Sequence, residues 1–209
     1  MAEADRFDLT INGRGAHAAQ PHLGADPIVA AAHVVVALQT IVARETDPLA
    51  SRVITVGTID GGSAFNIIPD TVHMTGTLRA LSRAEAESGA AAIRRIAAHP
   101  AEAFGTTAVL DYAFGYPPVV NDPAAVALVR PALEVAVGSD HVVDPGISMG
   151  GEDFAYYLQH VPGVFAFVGT ANPAKGLTAP HHNPAYTFDE DIFPTALSVV
   201  AHVVAAYLG

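Results

Sequence analysis

The chain has 209 residues, half of them hydrophobic, and a formal net charge of −11, which is enough apolar material for one large domain or two small ones. Ten basic residues against 21 acidic ones, with the arginines scattered, leave no basic face for a phosphate backbone and argue against nucleic acid as a partner. Cysteine is absent, so disulfides are excluded and any metal must be held by His, Asp or Glu.

The mean hydropathy of +0.34 raises the question of a membrane span. Residues 28–38 are interrupted by His33 and fall short of the roughly 20 residues a span requires. Residues 196–208 are also short and contain His202. The first ten residues, MAEADRFDLT, lack the basic and apolar regions of a signal peptide. The expectation is a chain without a membrane partner, located in the cytoplasm.

In chain order, residues 7–12 alternate and end in Gly13-Arg14-Gly15, a short strand and turn. Asp26-Pro27 then opens a helix, with Asp as N-cap and Pro at the first helical position. Its apolar stripe is read as Ile28, Ala31, Val35, Leu38 and Val42. Residues 52–59 are β-branched and strand-like, ended by Gly61-Gly62. Residues 71–80 alternate, with Val72, Met74, Leu78 and Ala80 on one face and Thr71, His73, Thr75, Thr77 and Arg79 on the other. Ser82-Arg83-Ala84-Glu85 has the form of a capping box and opens a helix to about residue 104. Residues 106–114 form one more strand. The order β-α-β-β-α-β predicts a ferredoxin-like sheet with two helices on one face, placed over residues 5–116 and ended by Tyr116-Pro117-Pro118.

Residues 117–209 differ. Asp122-Pro123 caps a helix to about Val137, and Gly150-Gly151-Glu152-Asp153 leads into another through Leu158. Residues 163–169 are wholly apolar and read as a buried strand. A His-rich loop follows, and Asp189-Glu190 opens a last helix to Leu208. With one strand and three helices, this stretch reads as the end of a larger α/β domain.

Among the ten histidines, two groups stand apart. His17 lies between small residues in Gly15-Ala16-His17-Ala18-Ala19, where its ring can meet a ligand and donate to developing oxyanion charge; two surface histidines in a turn is the equal alternative. In Pro180-His181-His182-Asn183-Pro184, adjacent imidazoles cannot easily face one point. At most one is a ligand, and a pair with no role is the commoner outcome.

Four runs in order, GRGAHAAQPHLGADPI, TDPLASRVITVGTIDGGSAFNIIPDTVHMTGTLRAL, MGGEDFAYYL and PHHNPAYTFDED, resemble the M20 metallopeptidase family. The likeness is to its amidohydrolase branch of hippurate, N-acyl-amino-acid and auxin-conjugate hydrolases. The resemblance implies a lid or dimerisation domain at residues 5–116 and the C-terminal part of a catalytic α/β domain at 117–209. It implies that His17 reaches into a partner subunit's site and polarises the scissile carbonyl. Asn66 matches a substrate-binding Asn and Arg79 an Arg that grips the substrate carboxylate, a task suited to a planar guanidinium. His182 matches the last metal ligand. Glu152 orients a ligand or substrate, or is a helix N-terminal charge. A divalent ion such as zinc or manganese, an N-acyl amino acid substrate and a homodimer through the lid follow from the same likeness.

The sequence departs from the family where the remaining metal ligands and the general-base Glu would stand, since those precede the lid. One His does not hold a catalytic zinc, which normally needs about three protein ligands. The expectation is a fragment inactive by itself, either a truncated gene product or one part of a split enzyme that works with a separate N-terminal half. The alternative is a stand-alone dimerisation or binding module, or a decayed enzyme.

Overall fold

Alternation begins at the third residue, earlier than the apolar pattern suggests. In β1 (Glu3–Asn12) the side chains of Glu3, Asp5, Phe7, Leu9 and Ile11 all turn inward. β1 lies inside a four-stranded sheet of order β3-β5-β1-β6, where β3 is Arg52–Gly61, β5 is Thr71–Ala80 and β6 is Thr107–Tyr116. Every pairing is antiparallel. This is the ferredoxin-like arrangement that the element order implies. In β5, Val72, Met74, Leu78 and Ala80 face the core as the alternation requires.

Two helices cover that face. α1 (Pro27–Thr40) starts where Asp26 Oδ1 accepts from the amides of Ile28 (2.8 Å) and Val29 (3.4 Å). α2 (Arg83–Ala103) starts at Ser82, whose hydroxyl accepts from Glu85 N, while Glu85 Oε2 accepts from Leu81 N. α2 packs Ala86, Ala92, Ile93, Ala97 and Ala101 against the sheet. The buried stripe of α1 differs from the expected one: Pro27, Ala30, Ala31, Val34, Leu38 and Ile41 face inward, whereas Ile28 and Val42 are exposed. The helix is apolar on nearly every side, so periodicity does not single out one face, and the small Ala30–Ala31 pair allows the closest approach to the sheet. The helical path continues through a wider turn at Ile41–Glu45. Pro27–Glu45 is thus long and apolar enough to cross a membrane, as is Glu190–Leu208. The inward stripe of α1 makes it a core helix of this sheet.

The 209 residues, all described in this computed structural model, divide into two units. The sheet unit comprises Met1–Val119 and Ile147–Tyr156, and the second unit comprises Val120–Gly146 and Tyr157–Gly209. In the second unit α3 (Pro123–Val137), capped by Asp122 Oδ1 on Ala125 N at 2.8 Å, packs against α5 (Phe193–Leu208). The strand expected at 163–169 does not form; the segment has no regular secondary structure and exposes Phe167 and Val168. A strand needs a neighbour to satisfy its backbone, and no strand is present in this unit. Asn121 substitutes in part: its carboxamide accepts from Phe165 N (2.9 Å) and donates to Phe165 O (3.0 Å), as a pairing residue would.

The sheet unit carries a buried acid pair. Glu3 is 0% exposed and Asp5 2%. Asp5 accepts from Tyr112 Oη (2.6 Å) and Gly115 N (2.9 Å), which holds a bulge in β6 opposite it. Arg83 Nη1 lies 2.8 Å from Glu3 Oε1 while its guanidinium sits over Phe114, yet neither Glu3 oxygen takes a well-aligned hydrogen bond. Burial, then the neighbouring Asp5 charge, pushes the Glu3 carboxyl up from 4.5 to about 7. Between those two pH values the folded chain binds more protons than the unfolded one, so stability falls as pH rises across that window. Glu3→Gln keeps the shape without the ionisation. Its melting temperature should match wild type at pH 4.5 and exceed it at pH 8, by a free energy on the order of 1–3 kcal/mol. A difference independent of pH would refute the buried-acid account.

Candidate active site

The His17 loop is built from backbone. Gly13 N donates to Asp70 O and Gly15 N to Asp70 Oδ1, each at 2.7 Å. Gly13 is obligatory, since a Cβ there would lie 2.3 Å from Ala25 O. A two-residue ribbon follows, β2 (Ala16–His17) pairing with β4 (Ile67–Ile68) and setting His17 opposite Ile67. Ala18 N then donates to Asn66 O at 3.0 Å. The main chain at His17–Ala18 and at Asn66, far apart in sequence, is therefore adjacent, and both His17 and Asn66 are exposed. The Asn66 carboxamide makes no hydrogen bond of its own. His17 Nδ1 accepts from Ala19 N at 3.1 Å, which leaves Nε2 as the nitrogen available to a ligand. Phe65, next to Asn66, is fully exposed; an aromatic with no core to fill beside these two groups is a ligand-contact candidate that the sequence reading passed over.

Arg79 lies elsewhere. It pairs with Ala4 at the start of β1, is half-buried, and donates through Nε to Thr77 Oγ1 (3.1 Å), which in turn donates to Asp5 O (2.6 Å). No carboxylate pairs with its guanidinium. The Gly150-Gly151 segment runs beside it, with Ala2 N donating to Gly150 O at 3.0 Å. A Cβ on Gly151 would come 2.4 Å from Ala4 Cβ and 3.2 Å from Arg79 Nη1. Glu152 Oε1 accepts from Phe154 N at 3.4 Å, just before the short helix α4 (Ala155–Leu158). That contact is what a helix N-terminal charge would make.

In the second unit the two adjacent histidines separate. His181 Nε2 is bonded to Tyr186 Oη at 2.9 Å and its ring stacks edge-on against that phenol. His182 adopts φ 66°, the one non-glycine residue in the left-handed region, which turns it away from His181 at some cost in backbone energy. Its imidazole makes no hydrogen bond and is free to ligate. One imidazole does not fit a catalytic ion alone, and no group of three or more His, Asp or Glu converges in the chain.

The ladder decides what can meet. His17 and Asn66 sit beyond the Asn12–Thr71 end of the β1–β5 pair, and Arg79 at the opposite end. Eight residues of antiparallel strand separate Thr71 from Arg79, about 27 Å at 3.4 Å each. No N-acyl amino acid spans that, so one copy of the sheet unit does not bring His17 and Arg79 to one small substrate.

Comparison with known proteins defines the class. Residues 4–104 match the peptidase dimerisation domain family. The chain is 45% identical over 190 residues to N-acetyl-L-cysteine deacetylase of Bacillus subtilis (strain 168), covering 91% of this chain and 44% of that protein. It is 37% identical to IAA-amino acid hydrolase ILR1-like 4 of Arabidopsis thaliana, covering 100% and 48%. A putative aminohydrolase from methicillin-resistant Staphylococcus aureus superposes with a TM-score of 0.81 at 32% identity, over 97% of this chain and 51% of that one. The Bacillus subtilis YXEP protein, a dinuclear metal binding peptidase from the M20 family, gives 0.71 at 29% identity, over 100% and 50%. The chain belongs to the M20 family and carries its dimerisation domain. It spans about half the length of the curated relatives it matches.

The contact at Gly151 is open to test. Gly151→Ala should destabilise the sheet unit by about 1–3 kcal/mol through overpacking, read from denaturant melts. Gly169→Ala, which meets nothing within 4 Å, should be neutral. An unaffected Gly151→Ala protein would contradict the packing of this segment on Arg79.

Proposed function

We propose that this chain supplies the substrate-polarising and carboxylate-binding groups of a metal-dependent amidohydrolase that cleaves N-acyl amino acids or similar small amides, acting as a homodimer. The observation that carries it is the separation of His17 with Asn66 from Arg79 along one rigid sheet. Two copies are required, one presenting the His17 end and the other the Arg79 end to the same substrate. The names of the relatives, a deacetylase and an amino-acid-conjugate hydrolase, support the reaction class.

In such an enzyme the bound metal supplies an activated water. The contribution of this chain is different. Arg79, braced through Nε, offers its two terminal nitrogens to a carboxylate. His17 Nε2–H and the Asn66 carboxamide meet the carbonyl oxygen as charge develops on it. His182 is one ligand of a metal set whose other members lie outside these residues, and Glu152 borders the Arg79 end. The outward face of α1, with Ile28, Val29 and Val36, and the unpaired edge of β3 provide apolar surface and backbone groups for the dimer.

The test uses a chimera that joins this chain to the remaining part of the Bacillus subtilis deacetylase. His17→Ala and Arg79→Ala chimeras should each be nearly inactive on N-acetyl amino acids. Refolded as a mixture, they should recover roughly a quarter of wild-type activity, because half the dimers are mixed and each carries one intact site. No recovery on mixing would refute the two-copy site. In the same chimera His182→Ala should lower bound metal by elemental analysis while His181→Ala leaves it in place; the reverse would reassign the ligand.

A further inference from the structure

A neutral imidazole has one N–H and one lone pair, and the hydrogen bond at one nitrogen decides the role of the other. In His17 that choice is made by the main chain. A backbone amide can only donate, and Ala19 N lies 3.1 Å from His17 Nδ1. Nδ1 is therefore the acceptor and the proton of the neutral ring resides on Nε2. The turn leaves that amide little alternative: Ala18 N is taken by Asn66 O at 3.0 Å, and Gln20 N by His17 O at 2.8 Å. The amide between them is directed at the ring.

We infer that the Ala19 backbone amide is a positioning group that fixes His17 as an Nε2–H donor. The group it presents is then a hydrogen-bond donor for a carbonyl oxygen, and the neutral ring is not a base at Nε2. The same contact pins the ring plane, so the donor is preorganised rather than recruited. The ribbon of Ala16–His17 with Ile67–Ile68 supplies rigidity that a solvent loop lacks. The catalytic consequence rests on the function proposed above; the tautomer does not.

The two are separated by experiment. In the uniformly 15N-labelled chain, with the ring neutral, His17 should show an unprotonated Nδ1 and a protonated Nε2. A scalar coupling across the hydrogen bond should connect the Ala19 amide nitrogen to Nδ1, and that amide should exchange slowly with solvent. Absence of the coupling with a fast-exchanging amide, or an Nδ1–H ring, overturns the inference. In the chimera, Ala19→Pro removes the donor, whereas Ala19→Gly keeps it. Ala19→Pro should lower kcat about tenfold or more with little change in KM, and Ala19→Gly should be near wild type. Equal losses in both variants would make the contact a turn stabiliser only. A coupling that is present while His17→Ala retains full kcat would leave the tautomer standing and refute the oxyanion role.

Discussion

β1 and β5 exchange hydrogen bonds along ten residues, from Glu3 opposite Ala80 to Asn12 opposite Thr71, and that ladder sets the reach of everything attached to it. It is held close by a glycine: a Cβ on Gly76 would lie 2.2 Å from Phe7 Cζ, so the ring packs where another residue would hold the strands apart. A packed sheet does not fold back on itself to bring its ends together. Groups at the two ends are separated by a nearly fixed distance, and chemistry that needs both must recruit a second copy. On the role proposed for His17 and Arg79, dimerisation is then a condition of the site rather than an addition to it.

The two ends are built by different physics. At the His17 end nearly all positioning is main-chain: Gly13, Gly15, Ala18 and Ala19 each spend their amide on holding the loop. Small side chains are what such a loop demands, because bulk at Gly13 or Gly24 would strike the facing strand of the turn. At the Arg79 end side chains take part: Thr77 Oγ1 accepts from Arg79 Nε and donates to Asp5 O, and the Asp5 carboxylate in turn accepts from Tyr112 Oη. The first arrangement tolerates exposure, since it depends on chain geometry. The second is shielded, and gains strength from the low local dielectric.

Much of this was legible in the sequence. The order of elements, the Asp26, Ser82 and Asp122 caps and the inward face of β5 follow from period and turn chemistry, and the four motif runs point to the family. The errors share a cause, which is that local patterns do not report tertiary partners. In α1 apolar residues surround the axis, and only packing against the sheet picks Ala30 and Val34 over Ile28 and Val42. Residues 163–169 have strand composition and no neighbour to pair with. Glu3 and Asp5 were passed over because charge hid the alternation, although residues 3, 5, 7, 9 and 11 share one parity. Spacing does not reveal that Tyr186 takes His181 while a left-handed backbone turns His182 away from it. The proton on His17 depends on one amide two residues on, a relation no periodicity reveals.

The buried acids bear on the role proposed for Arg79. A carboxyl at the position of Glu3, raised by burial and by Asp5, costs stability at neutral pH, and an apolar residue there would cost none. Its neighbour Asp5 holds the bulge of β6 with its side chain and takes the Thr77 hydroxyl with its carbonyl oxygen. That hydroxyl braces Arg79 Nε, so the terminal nitrogens stay free while the arm is fixed. Arg83, which pairs with Glu3, is drawn over Phe114, so the buried acid engages a different arginine from Arg79. A carboxylate-binding arginine must be both rigid and unpaired, two demands that conflict on an open surface. For Arg79 in its proposed role, a polar network behind the sheet meets both, and the lost stability is of the kind that functional sites retain.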